Sequence, residues 1–282
     1  MNPHEASTYS QLKLDEQIKL IQRVYSSHVN KMTWTDTEYV VLDIGCATGD
    51  VTKDILLPLC PDSVSEIIAI DILPEMINFA ENHYPHQKIR YKTGDIKDRA
   101  LVLKQKSKFQ KTFSSFSLNM IFDHQLVLQN VNYLLSPGGE FSFIIVATGP
   151  QYKAYEELAR STTWEPYMKD WKNFITPMHY WQEIETEYKT LASKCGFAIN
   201  DISVESLTFG FPGPSKFKSF LNTISPFVSK IPDDKTGFIE DTYRLCLKHG
   251  AYQNPDGSIQ LPLKILSALA TKFMDLSDRV SF

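Results

Sequence analysis

The sequence predicts an α/β fold built on a doubly wound, mostly parallel seven-stranded sheet with a helical cap. Two observations predict it. Apolar runs alternate with amphipathic segments over residues 38–149, as expected for strands that are joined by crossover helices. After Gly149, aromatic residues cluster at helical spacing, which indicates elements that cover the sheet.

Five apolar runs in the first half are predicted strands. They cover residues 39–44, 66–71, 88–93, 109–116 and 140–147. The intervening helices are predicted over residues 51–59, 74–84 and 124–135, and Ser136-Pro137-Gly138-Gly139 is the expected stop of the last one. A sixth strand is predicted over residues 197–209, and the alternation of Leu261, Leu263 and Ile265 predicts a seventh.

The chain is predicted to form a single domain over residues 1–282. An N-terminal helix at 8–30 precedes a cofactor-binding core at 38–149, and residues 150–282 hold the cap segments and the last strands. The sequence contains no internal repeat and no Gly/Ser-rich linker. The cap segments are therefore expected to pack on the sheet rather than fold separately.

The composition favours a cytoplasmic enzyme with a small-molecule ligand. A hydrophobic content of 43% in 282 residues suffices for one large core. The net charge of −4 provides no broad basic field, so no nucleic-acid partner is expected. No apolar run is long enough to span a bilayer and the first nine residues are too polar for a secretory signal, so no membrane association is expected. The oligomeric state is left open.

The four cysteines indicate neither a disulfide framework nor a metal site. Cys46, Cys60, Cys195 and Cys246 are scattered, without C-x-x-C pairs or histidines at metal-ligand spacing. Isolated cysteines of this kind usually behave as small buried apolar residues. No metal is therefore expected.

The most informative segment is the turn after the first predicted strand. Gly45 and Gly49 enclose Cys46 and Ala47, and glycines allow the backbone to turn sharply and approach a ligand. Asp43 ends the strand, where ligands bind in open α/β sheets. A dinucleotide site would require G-x-G-x-x-G, which is absent. The loop instead resembles motif I of class I methyltransferases, whose fold is Rossmann-like and whose cofactor is S-adenosyl-L-methionine.

Acids at two later strand ends suit the same cofactor. Asp71 ends the second predicted strand, where a carboxylate can accept hydrogen bonds from ribose hydroxyls. The next residue, Ile72, is also predicted to contact the cofactor. Asp95 and Ile96 resemble the family's adenine-edge motif, with Asp95 accepting from the exocyclic amine and Ile96 packing on the ring. Ser114, in the fourth strand, is also predicted to contact the cofactor.

Further segments outside this loop carry a more specific pattern. They are Gln17 with Met32-Thr33-Trp34, Phe113-Ser114-Ser115-Phe116, Phe174-Ile175-Thr176-Pro177-Met178-His179, and Ser225-Pro226-Phe227. Together they resemble the juvenile hormone acid O-methyltransferase family over nearly the whole chain. The Phe-Ile-Ser/Thr-Pro-x-His match is more diagnostic than motif I.

The resemblance implies methyl transfer to the carboxylate of a farnesoic or epoxyfarnesoic acid. A glutamine at the position of Gln17 contacts the substrate acid in the family. The family's Leu-His-Trp after the fourth strand is replaced here by Leu118-Asn119-Met120. Gln17 and Asn119 are therefore expected to hold the acid, and the pocket is expected to be lined by Met120, Trp164 and His179.

The chemistry of such a reaction needs no general base. A carboxylic acid with a pKa of about 4 to 5 is ionised at pH 7. The enzyme must hold a carboxylate oxygen in line with the sulfonium methyl group and exclude water.

Two alternatives remain open. The acceptor is a small hydroxyl or amine, with His124 or His179 as the base, or the chain is a non-catalytic homologue that binds an apolar ligand. The second alternative is motivated by Ala47, Asn119 and Met120, which depart from the family pattern.

Overall fold

In the computed structural model, one mixed sheet organises the chain. The structure describes residues 3–12, 14–35, 37–98, 102, 104–105 and 108–274. The strands are β1 (Tyr39–Ile44), β2 (Val64–Asp71), β3 (Ile89–Thr93), β4 (Phe109–Ser115), β5 (Leu135–Thr148), β6 (Phe197–Phe211), β7 (Tyr252–Gln253) and β8 (Ile259–Lys272).

Helices lie on both faces of this sheet. They are α1 (Pro3–Gln11), α2 (Asp15–Lys31), α3 (Leu57–Leu59, preceded by a π-helical stretch at Val51–Leu56), α4 (Pro74–His83), α5 (His124–Leu134), α6 (Pro150–Leu158), α7 (Ile184–Lys194), α8 (Pro214–Ile224) and α9 (Lys235–Lys248). Within the described ranges, no helix combines the length and the apolarity needed to cross a membrane.

The strand order is β3-β2-β1-β4-β5-β8-β6, with the short β7 paired to the start of β8. Strands β1 to β5 pair in parallel, and β8 runs antiparallel to both β5 and β6. The order reverses between β1 and β4, and ligands of open α/β sheets bind outside the carboxyl ends of the strands at such a point. The predicted doubly wound, mostly parallel sheet is confirmed, and β7 is an eighth strand that the sequence did not predict.

Two predicted boundaries differ from the structure. The N-terminal helix predicted at 8–30 is divided into α1 and α2, because α1 packs against α4 and α8 whereas α2 packs against the sheet. The predicted turn at 136–139 belongs to β5, which begins at Leu135 opposite Phe109. A register shift between Phe109 and Lys111, together with a left-handed Gly138 (φ +71°), accommodates these residues in the strand.

The core consists of two clusters of buried apolar side chains. Alternate residues of a strand face opposite sides of the sheet, so Val41 belongs to one cluster and its neighbour Leu42 to the other. The first cluster includes buried residues from α2, α4, α6, α8 and α9, and the second includes buried residues from α5 and α7. The sheet is therefore covered on both faces.

Polar contacts fix α2 along one face of the sheet. Arg23 contacts both carboxylate oxygens of Glu205 on β6 at 2.6 Å. The buried His28 has Nδ1 2.8 Å from Ser142 Oγ on β5, and burial lowers its pKa to about 4, so the ring is neutral at pH 7. These contacts attach the middle and the end of α2 to the sheet, and Gln17, near the beginning of the helix, lies at the carboxyl edge.

A buried ion pair fixes the link between α2 and β1. Lys111 on β4 donates to the carboxylate of Glu140 on β5, and also to the carbonyl oxygen of Thr33 at 2.7 Å. The backbone N–H of Thr33 donates to the same carboxylate at 3.1 Å, and the Trp34 ring lies 5.0 Å from the Lys111 ammonium group. Loss of one partner of such a buried pair is strongly destabilising, so the position of Thr33 depends on both Lys111 and Glu140.

Candidate active site

A small cavity of about 20 Å³ lies at the carboxyl edge of the sheet, beside the point where the strand order reverses. Residues from α1, α2, the end of β1, the loop after β1, the start of the following helix and the end of β4 line it. They are Tyr9, Gln17, Ile18, Ile21, Asp43, Gly45, Cys46, Ala47, Val51 and Ser115. The structure thus brings together five of the residues that the sequence predicted as a site: Gln17, Asp43, Gly45, Cys46 and Ala47.

Glycine is required at two positions of the loop, because a Cβ atom would not fit there and because the backbone φ is positive. Gly45 and Gly49 have φ values of +75° and +81°, which L side chains rarely adopt. A Cβ atom on Gly45 would lie 1.9 Å from Ser117 Oγ, and one on Gly49 would lie 2.8 Å from Tyr91 Oη. The loop therefore approaches its neighbours more closely than any other residue type permits.

Ala47 adopts a left-handed conformation although it is not a glycine. Its φ is +46°, which costs an L residue about 1 to 2 kcal/mol. Its backbone N–H donates to Asp71 Oδ2 at 3.0 Å, and the residue lines the cavity. The departure from glycine is thus accommodated with backbone strain.

Asp43 is a buried carboxylate at the end of β1. Its Oδ2 accepts a hydrogen bond of 2.6 Å from Thr52 Oγ1 in the helix that follows the loop. The strand and the helix together therefore orient a negative charge at the cavity wall.

Asp71, at the end of β2, accepts backbone hydrogen bonds on both carboxylate oxygens. Leu73 N donates to Oδ1 and Ala47 N to Oδ2, each at 3.0 Å. Desolvation raises the pKa of Asp71, and the backbone N–H donors oppose this shift. A carboxylate can accept about four hydrogen bonds, so acceptor capacity remains for the predicted ribose hydroxyls.

Ile72, rather than Ile96, presents an apolar side chain near this edge. Ile72 is 56% exposed, whereas Ile96 is 4% exposed and packs in the second core cluster. The predicted packing of Ile96 on an adenine ring is therefore not supported, because the side chain turns into the core. Asp95 is half-buried, and its Oδ1 accepts from Lys97 N at 2.8 Å.

Ser115, and not Ser114, faces the cavity. Ser114, the predicted cofactor contact, does not line the cavity, and its buried hydroxyl donates to the carbonyl oxygen of Ile44 at 2.9 Å. Successive residues of a strand point to opposite faces, so the next residue, Ser115, lines the cavity. The sequence motif contained both serines but did not reveal which one faces the ligand.

Asn119 and Met120 lie in a 3₁₀ turn, Leu118–Met120, that follows β4. Both side chains are half-buried. Asn119 Oδ1 is buried and makes no hydrogen bond to any described residue, and Tyr152 Oη donates to the Asn119 carbonyl oxygen at 3.4 Å. The structure places Asn119 beside α6, outside the small cavity that contains Gln17.

His179 and Asn119 both contact Tyr152. Its ring contacts that of Tyr152 edge-on, with centroids 5.5 Å apart, and its Nε2 is 4.0 Å from Glu156 Oε2. Its Nδ1 is buried and makes no hydrogen bond to any described residue. Burial lowers the pKa of His179, and the Glu156 carboxylate acts in the opposite direction.

The two other candidate residues have structural partners. Trp164 packs edge-on against Phe238 at 5.3 Å, and its indole N–H donates to Asp241 at 2.9 Å. This position is in the cap core, and Trp164 does not line the cavity. His124 has Nε2 3.1 Å from the carbonyl oxygen of Leu118, and burial lowers its pKa to about 4.

Sequence reasoning missed five of the lining residues: Tyr9, Ile18, Ile21, Val51 and Ser115. Ile21 is four residues after Gln17 and three after Ile18, so it lies beside both on the helix surface, which is a usable signal. Tyr9 lies in a polar N-terminal segment whose composition does not distinguish it.

Comparison with known proteins agrees with this geometry. Residues 35–196 match a family model described as a methyltransferase domain. The chain belongs to this methyltransferase family. The matched segment includes β1 to β5 and the loop with Gly45 and Gly49, and the class I fold predicted from the sequence is confirmed.

Two curated relatives belong to the group that the sequence was found to resemble. A juvenile hormone acid O-methyltransferase of Drosophila melanogaster is 26% identical over 264 residues, covering 91% of this chain and 89% of the relative. One of Bombyx mori is 27% identical over 257 residues, covering 89% of this chain and 91% of the relative. The solved structure of YcgJ from Bacillus subtilis has a TM-score of 0.59 at 16% identity, covering 89% of this chain and 98% of that one. It supports the fold alone.

The left-handed Ala47 generates a stability prediction. Ala47→Gly is expected to raise the free energy of unfolding by about 0.5 to 1 kcal/mol, because relief of the strain exceeds the entropy that glycine adds to the unfolded chain. Urea denaturation measures it. As a matched control, Ala192→Gly within α7 is expected to lower the same quantity by about 1 kcal/mol or more. A destabilised Ala47→Gly protein would contradict the assignment.

Proposed function

We propose that the chain binds S-adenosyl-L-methionine at the carboxyl edge of β1, β2 and β4, and forms the methyl ester of a small apolar carboxylic acid of the sesquiterpenoid class. One observation carries the proposal: a single cavity joins Asp43, Gly45 and Ser115 with Gln17. The first three belong to the methyltransferase core, and Gln17 comes from α2, which the family model does not include.

The residues of this edge suit the proposed cofactor. Asp71 has remaining capacity to accept from the ribose hydroxyls, and the exposed Ile72 offers an apolar surface to the base. Asp43 provides a negative charge for the ammonium group of the amino-acid end, beside Ser115. When bound, the cofactor supplies a methyl group activated by its sulfonium charge.

The cavity beside α1 is too small for the proposed cofactor unless α1 moves. Ligand sites for molecules of this size are typically about 300 to 1,000 Å³, and the present cavity is about 20 Å³. Tyr9, on α1, lines it. We infer that α1 moves away to admit the cofactor and then excludes water from the site.

Aromatic side chains next to the edge support an apolar acceptor. Phe116, directly after β4, lies with its ring centroid 6.3 Å from that of Phe209, which in turn lies 6.4 Å from that of Phe220. The two curated relatives are named for a juvenile hormone acid. An acid of that class would place its chain on these rings and its carboxylate toward Gln17 and Asn119.

The residues of this chain would bind and orient the acceptor carboxylate. The acceptor carboxylate is already ionised at pH 7, so no residue has to remove a proton from it. The side-chain amides of Gln17 and Asn119 can each donate an N–H to a carboxylate oxygen.

A hydroxyl or amine acceptor is the second candidate, and His179 favours it. The ring is neutral at pH 7 because its pKa is lowered, and its Nδ1 has no hydrogen-bond partner among the described residues. A neutral imidazole with an unpaired nitrogen is suited to accept a proton. His124 is less suitable, because its ring contacts Leu118 and Tyr188.

Calorimetric titration tests the cofactor. The protein is expected to bind one S-adenosyl-L-methionine per chain, and Asp71→Asn is expected to weaken binding about tenfold or more, because hydrogen bonds to a charged acceptor are lost. Asp62→Asn, at an exposed acid, is the matched control and NAD the control ligand. An absence of heat with S-adenosyl-L-methionine, from protein that is folded by circular dichroism, would refute the proposed cofactor.

Methylation of farnesoic acid tests the acceptor. Gln17→Glu is expected to lower kcat/KM about 100-fold or more. The carboxylate of Glu would repel the acceptor carboxylate and would have no positively charged partner among the described residues that line the cavity. Gln22→Glu, on the exposed side of α2, is the matched control and should change little. Equal activity of the two variants would remove Gln17 from the acceptor site.

His179→Gln separates the two acceptor classes. With an acid acceptor, kcat should change by less than about threefold, since no base is needed. With a hydroxyl acceptor that depends on this base, kcat should fall about 100-fold or more. Activity only with a hydroxyl or amine acceptor, and dependent on His179, would replace the proposed acid substrate.

A further inference from the structure

Tyr25 is a fully buried tyrosine on α2 that does not itself line the cavity. Its exposed fraction is 0%, and its ring packs edge-on against Phe113 on β4 with centroids 5.1 Å apart. Its hydroxyl has no hydrogen-bond partner within 3.5 Å among the described residues. Phenylalanine would fill the same volume without a buried, unpaired polar group, so the hydroxyl calls for a role other than packing.

The position of Tyr25 relates it to the cavity. Ile18, Ile21 and Tyr25 are spaced by three and four residues, so they lie along one face of α2, and the first two line the cavity. The Asp43 carboxylate and the Ser115 side chain are close enough to the phenol to shift its pKa, and both line the cavity. Tyr25 is therefore located directly behind the wall that the amino-acid end of the cofactor would contact.

We propose that Tyr25 is a positioning residue that donates its phenolic hydrogen to Ser115 Oγ in the cofactor-bound protein. The Ser115 hydroxyl then directs its own hydrogen into the cavity and donates to the carboxylate of the cofactor's amino-acid end, while Asp43 faces the ammonium group. This inference rests on the proposed function. A hydroxyl can accept one hydrogen bond while donating another, and such chains strengthen each member.

Burial keeps Tyr25 in the form that this role requires. Desolvation, assisted by the nearby Asp43 carboxylate, holds the pKa of the phenol well above its ordinary value. The hydroxyl consequently remains protonated and able to donate across the physiological pH range.

A double-mutant cycle on cofactor affinity tests the proposal. Tyr25→Phe and Ser115→Ala are each expected to weaken S-adenosyl-L-methionine binding about fivefold, the effect of one hydrogen bond. The double variant should bind no more weakly than Ser115→Ala alone, because Tyr25 acts through Ser115. Tyr188→Phe, which removes a buried phenol in the second core cluster, is the matched control and should bind normally.

A second ligand makes the test specific to the amino-acid end. 5′-Methylthioadenosine has the nucleoside but no amino-acid group, so its affinity should be the same for the wild type and for Tyr25→Phe. Unchanged binding of this ligand also shows that the variant is folded and that its nucleoside site is intact.

Four outcomes would overturn the inference. Wild-type affinity of Tyr25→Phe for S-adenosyl-L-methionine would remove the hydroxyl from the site, and additive losses in the double variant would show that it does not act through Ser115. Equal weakening of both ligands would indicate a general structural role. Failure of the wild type itself to bind S-adenosyl-L-methionine would overturn the proposed function as well, so the two failures are distinguishable.

Discussion

The hydrogen bond from Ala47 N to the Asp71 carboxylate is the contact on which the rest of the site depends. It joins the loop after β1 to the end of β2, so that two neighbouring strand ends present one surface. The loop reaches this acceptor only because Gly45, Ala47 and Gly49 all adopt left-handed conformations. The same carboxylate also fixes Leu73, and with it the start of α4. One carboxylate therefore organises the loop and retains the capacity to bind a ligand.

The N-terminal helices supply part of the cavity wall from outside the matched methyltransferase domain. The family match starts at residue 35, yet α1 and α2 provide four of the ten residues that line the cavity. The contacts of Arg23 and His28 with the sheet, and the buried Lys111–Glu140 pair under the link to β1, hold α2 in place. Gln17, which we expect to hold the acceptor, thus lies on a helix outside the matched segment, whereas Asn119 lies within that segment.

Much of this arrangement could be predicted from the sequence, because it rests on local patterns. Apolar runs located the strands, and the glycine spacing located the loop with Asp43. The choice between Ser114 and Ser115 could not be predicted, because a shift of one residue reverses the faces of a strand. Likewise Ile72 and Ile96 both follow strand-end acids, and only tertiary packing buries one and exposes the other. The division of α1 from α2 depends on partners distant in sequence.

A crystal structure of the protein with S-adenosylhomocysteine would show whether the strand edge organised by Asp71 binds the cofactor. The ribose hydroxyls are expected to lie within hydrogen-bonding distance, about 3.2 Å or less, of the Asp71 carboxylate. The amino-acid end is expected to lie between Asp43 and Ser115, under α2. A ligand bound elsewhere, with Asp71 bonded only to the backbone of Ala47 and Leu73, would contradict this placement.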